Sequence, residues 1–169
     1  LSEVTGPVAI DNRGVVAKEL GGRLFGARLS HGSVRTTNPS WMEAADHIQI
    51  DASFKGIVKD LLDVLNTKPI ADAVNDFADE WDGAGEVIGE LALKVPLDGT
   101  GSSIAVRTKG TIEEATLHMR DFDLALSDLT SDFQYSSDTG LTASNAQFRM
   151  LGESVSAAIS SEAAGAGGV

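Results

Sequence analysis

The sequence predicts a mainly β domain: an antiparallel sheet interrupted by a short helical hairpin. Three observations carry that prediction. Apolar and polar residues alternate at period two through much of the second half of the chain. Clusters of Asp, Gly, Ser and Asn punctuate those runs at short intervals. Between residues 57 and 82 the apolar spacing changes to threes and fours, the period of a helix face rather than a strand.

The clearest strand is 87–97. Val87, Leu91, Leu93, Val95 and Leu97 share one parity, and Glu90 and Lys94 the other, as a half-buried strand requires. Pro96 cannot donate a ladder hydrogen bond and marks a strand end or an edge. Ile104 and Val106 alternate with Ala105 and Arg107. After Lys109-Gly110, Ala115, Leu117 and Met119 continue the pattern, followed by Phe122, Leu124 and Leu126. Phe133 and Tyr135, then Ala146, Phe148 and Met150, then Val155, Ala157 and Ile159 predict three more strands around the turn Ser137-Asp138-Thr139-Gly140. With no helical pattern between them, these runs describe an antiparallel meander.

The first 55 residues read alike. Val8 and Ile10 lead into a hairpin turn at Asp11-Asn12-Arg13-Gly14 and on to Val15-Val16-Ala17. Residues 20–28 and 33–36 are shorter strand candidates, and Ile48, Ile50 and Ala52 alternate before Gly56. The helical hairpin spans 57–82. Ile57, Leu61 and Leu65, with Val58 and Leu62, predict one helix over 57–66. Thr67 as N-cap and Pro69 in the first turn open a second over 69–82. Its stripe is Ile70, Val74, Phe77 and Trp81, with Gly83 as its stop. Neither helix is long enough to stand alone, so both must dock on the sheet. Residues 163–169 are small and Gly-rich and read as a flexible tail of a single domain covering 1–169.

Composition narrows the function classes. Lys and Arg total 13 against 25 Asp and Glu, a net charge of −12, which repels polyphosphate and argues against nucleic-acid binding. Cysteine is absent, which excludes disulfides and thiolate chemistry. No run of about 20 apolar residues is present to span a membrane as a helix. The chain starts at Leu1 rather than Met, and is expected to be a piece of a longer protein.

The search for chemistry returns no catalytic constellation, metal site or cofactor motif, so the chain is expected not to be an enzyme. Gly83-Ala84-Gly85 and the residues up to Gly89 are glycine-rich, but a phosphate turn must follow a strand and open a helix. Gly152-Glu153-Ser154 begins like a nucleophile elbow, with Ser156 where the closing glycine belongs. His31, His47 and His118 are scattered. Asp121 and Asp123 lack the Gly and Glu that a calcium loop needs. Acidic pairs such as Asp79-Glu80 are expected by chance in so acidic a chain. Two Trp and one Tyr leave little aromatic surface for a glycan-binding or hydrolytic β-domain. Alternation by itself favours the ordinary core of a closed β-sandwich, a structural or adhesive module, over any apolar groove.

A resemblance shifts that balance. Trp81-Asp82-Gly83-Ala84-Gly85 passes into Gly89-Glu90-Leu91-Ala92-Leu93-Lys94-Val95-Pro96-Leu97. Ala115-Thr116-Leu117, then 124–129, then Gly140-Leu141-Thr142-Ala143 and Leu151-Gly152-Glu153-Ser154 follow. This order resembles the YhdP family, relatives of AsmA and TamB in Gram-negative bacteria, most clearly over 57–160. The resemblance implies a long protein anchored in the inner membrane and spanning the periplasm. It implies repeated β-units curled into a taco-like groove that moves phospholipid between inner and outer membranes. The partners so implied are acyl chains and, through the rest of the parent chain, the two membranes. The implied lipid-facing residues are Leu91, Leu93, Val95, Ile104, Val106, Leu124 and Leu126.

Overall fold

The computed structural model describes residues 2–11, 14–37, 46–67, 79–97 and 104–160. Ten strands form one antiparallel sheet: β1 (Ser2–Thr5), β2 (Val8–Asp11), β3 (Gly14–Leu24), β4 (Ala27–Thr37), β5 (His47–Ile57), β6 (Trp81–Pro96), β7 (Ala105–Met119), β8 (Leu124–Ser136), β9 (Gly140–Met150) and β10 (Glu153–Ser160). From β3 onward each strand pairs with the next in the chain, while β1 and β2 both lie along β3. The described strands belong to this one open sheet. The closed sandwich that alternation alone favoured is not the architecture.

The strands are longer and fewer in the second half than alternation suggested. Gly110 sits inside β7, paired with Gly89 on one side and Phe133 on the other, so Lys109-Gly110 is no turn. The runs at 124–126 and 133–135 are one strand, β8. Sequence reading broke them apart because parity slips partway. In β7 the buried positions are Val106 and Thr108 and then Ala115, an even-to-odd change. In β8 they are Leu126 and then Leu129, Ser131, Phe133 and Tyr135. The slips fall at Glu114 (φ 48°) and Asp128 (φ 51°), with register shifts beside both. Gly85 in β6 (φ 107°) lies across from them, beside another shift. Bulges of this kind insert an unpaired residue, bend the strand and increase its twist. Here they are adjacent across three neighbouring strands, so the sheet creases along them. Ala115 lies at the crease with no exposed surface, as does Ala146 in β9.

Several expectations are corrected. Residues 20–28 are not one strand: β3 runs to Leu24, the chain reverses through Phe25 (φ 54°) and Gly26, and β4 starts at Ala27. Residues 33–36 are the middle of β4. Phe122 is not on a strand with Leu124; it ends a short 3-10 turn, Arg120–Phe122, and is 69% exposed. Leu97 lies past the end of β6 and is exposed.

The first helix of the hairpin is α1 (Val58–Leu65). The second falls mostly on residues outside the described set, Ile70, Val74 and Phe77 among them. Its predicted end is wrong: Asp79 and Glu80 form a turn, and Trp81 and Gly83 already belong to β6. The spacing from Phe77 to Trp81 mimicked a helical step. In β6 Trp81 instead begins an inward run of odd positions, a parity it shares with Val87 and Leu91.

Candidate functional site

The concave face is built by parity. In β6 the odd positions from Trp81 to Val95 point inward and Glu86, Glu90 and Lys94 outward. Direct cross-strand pairs share a face, so Leu93 stands beside Val106 and Leu91 beside Thr108, and Thr108 beside Tyr135. Beyond the bulges Leu117 pairs with Leu126 and Met119 with Leu124, continuing the same apolar surface. Charges collect on the convex side. Lys109 pairs with Glu90 at 3.0 Å, Lys55 with Glu86 at 2.8 Å and Arg107 with Asp138 at 3.2 Å. Exposed as they are, such pairs add at most about 1 kcal/mol each. Their effect is to keep one face wet and the other dry.

α1 lies on the concave face against β5 and β6. Between it and β7–β10 is a cavity of about 280 Å3. Its wall is formed by Leu61, Leu62 and Leu65 of α1, Trp81, and inward residues such as Ile112, Leu126, Phe133, Phe148 and Ile159. Among the described residues, no lining residue carries a charge. Two of its buried hydroxyls are engaged by the sheet itself: Thr108 donates to the Glu90 carbonyl at 2.9 Å and Ser131 to the Asp132 carbonyl at 3.1 Å. The wall is not sealed, since Leu124, Phe148 and Met150 are half-buried and Ile159 is 38% exposed. An unsealed concavity with an apolar lining suits long apolar ligands.

Tyr135 is the chain's single tyrosine and belongs to this wall. Burial disfavours the phenolate and raises its pKa above the ordinary 10.0, as desolvation does for any acid. The folded protein is therefore expected to ionise Tyr135 at higher pH than the urea-unfolded chain in an ultraviolet spectrophotometric titration. The sign for stability follows: this contribution is present below the unfolded phenol's pKa and is lost as pH rises through the folded one. Coincident folded and unfolded titrations would place the ring in water.

The seven sequence-predicted residues lie on this one face but not in one place. Leu124 and Leu126 line the large cavity. Val106, 1% exposed, and Leu91 line a narrower cleft on the other side of α1. Leu93 and Ile104 are half-buried against the core. Val95 has the inward parity near the end of β6 and lines neither space. Sequence reasoning missed the contributions of α1 and of Phe133, Tyr135, Phe148 and Ile159. Their alternation was visible, but the parity slips hid that they face the same way as Leu124.

No curated protein and no solved structure matches the chain. A family model described as YhdP protein matches residues 1–168, and the chain belongs to the YhdP family.

Proposed function

We propose that this chain is a non-enzymatic segment of a periplasm-spanning, inner-membrane-anchored protein, and that its groove shields phospholipid acyl chains on their way between the inner and outer membranes. The observation that carries the reading is the uncharged concavity of about 280 Å3, open at its wall and backed by a continuous apolar face. Family membership supports it, through the AsmA-like relatives that the YhdP family resembles. Each methylene removed from water gains about 0.8 kcal/mol, so a chain sliding along such a face avoids most of the cost of crossing water. The headgroup stays at the open side and needs no basic site, which suits a chain of net charge −12.

The test follows from parity. A photo-crosslinking residue at Leu93 or Leu124 of the full-length protein is expected to capture phospholipid in cells. The same probe at Lys94 or Ala125, one residue along and exposed, is expected to capture none. Asp123 would be a poor control: it sits in the turn before β8 with φ 49°, not on the strand's outer face. Equal capture at both parities would signal bulk membrane contact, and no capture at either would refute the groove.

A further inference from the structure

Strand order equals chain order from β3 to β10, so a route along the groove runs strand by strand. α1 sits across that route at β5 and β6. On its far side the concave face continues as a cleft of about 30 Å3 lined by Leu24, Leu29, Phe54 and Leu91. Leu61, Leu65 and Thr108 border both this cleft and the large cavity. α1 is thus the partition between two stretches of one apolar surface.

How α1 is held is informative. An eight-residue helix has too little intrinsic stability to persist undocked. It docks through Val58, Leu62 and Leu65, which are 3%, 6% and 8% exposed. One carboxylate fastens it to the sheet. Asp60 accepts from the backbone N–H of Ile57 at 3.2 Å and from the N–H of Gly26, in the β3–β4 turn, at 3.1 Å. The fit at Gly26 is close: a Cβ there would strike the Asp60 carboxylate. An acyl chain that displaced α1 would cover the apolar surface the helix now covers. The exchange would keep the sheet surface covered, uncover the helix's own apolar face and give up the Asp60 fastening.

We infer that α1 is a gate within the groove and that the Asp60–Gly26 contact is its latch. This rests on the acyl-chain reading above, and the test separates the two. A Cβ at Gly26 would meet the Asp60 side chain, so thiols at 26 and 60 can be brought together, and the chain has no cysteine of its own. In the full-length protein, Gly26→Cys with Asp60→Cys would lock the gate under oxidation. Photo-crosslinkers at Leu29 and at Phe148 report the two sides. After a pulse of radiolabelled phospholipid, the locked protein is expected to yield labelled adduct at one position and lose it at the other. Reduction restores both. In a single variant, Asp60→Ala, label is expected to reach the second position sooner than in the parent protein. Label at both positions in the locked protein, or an unchanged arrival time in Asp60→Ala, overturns the gate while leaving the groove intact. Absence of label at both positions in the parent protein overturns the groove and the gate with it. If the double variant takes up no label even when reduced, the Asp60→Ala arrival time decides.

Discussion

Gly85→Val is expected to destabilise the domain by at least about 3 kcal/mol, from backbone strain and a steric overlap acting together. Gly85 adopts φ 107°, which a β-branched residue reaches only with strain. A Cβ there would also overlap the backbone of Ala115, a residue with no exposed surface. Ala115 has no room to yield, because it is paired with Leu129 on its other side. Urea denaturation gives the number as a lower midpoint at unchanged slope. The contrast lies in the adjacent bulges: Glu114 and Asp128 reach positive φ with side chains in place and exposed, so Asp128→Gly is expected to change stability by less than about 1 kcal/mol. A loss under about 1 kcal/mol for Gly85→Val would mean the crease is not fixed there.

A charge introduced on the concave face should separate folding from transport. Val106 is 1% exposed, and Val106→Asp leaves a carboxylate or an unpaired acid in a dry core, a cost of several kcal/mol. That variant is expected to unfold. Leu124 is half-buried on the wall of the open cavity. A carboxylate there can remain hydrated, and Leu124→Asp is expected to fold with a loss of no more than about 2 kcal/mol. It should nevertheless abolish crosslinking of phospholipid at Phe148, across the same cavity, because an acyl chain would have to pass a hydrated charge. Circular dichroism and urea titration read the first effect and photo-crosslinking the second. Unfolding of Leu124→Asp would identify the cavity as an ordinary core, and unimpaired lipid capture would remove it from the path.

Much of this was legible in the chain because period two is imposed by strand geometry itself. The alternation from Val87 to Val95 gave the inward face of β6 directly, and the stripe Val58, Leu61, Leu62 and Leu65 gave α1 to within a residue at each end. What alternation could not reveal is where parity changes. Glu114 and Asp128 are ordinary acidic residues with no turn signature, yet each reverses the meaning of odd and even for the rest of its strand. Long strands therefore looked like several short ones. Trp81 failed for a related reason: a single aromatic four residues after Phe77 satisfies a helical step and a strand start equally well. The groove was not legible from periodicity. A sandwich core and an open concave face have the same alternation, and only the pairing of strands in three dimensions separates them.

The succession of strands has a consequence for how the molecule is assembled. From β3 onward each strand finds its partner in the segment synthesised just before it, so no pairing waits for a distant part of the chain and the loop-closure entropy at each step is small. Such a sheet can grow in one direction, each hairpin becoming the template for the next, while the remainder of the polypeptide is still arriving. Its cohesion is then close to a sum over neighbours, and in these 169 residues expressed alone loss of structure should begin at β1 and β10, the ends of the strand order, and advance inward. Native-state hydrogen exchange would register this as protection rising from both margins toward β6, β7 and β8, the strands that share the crease.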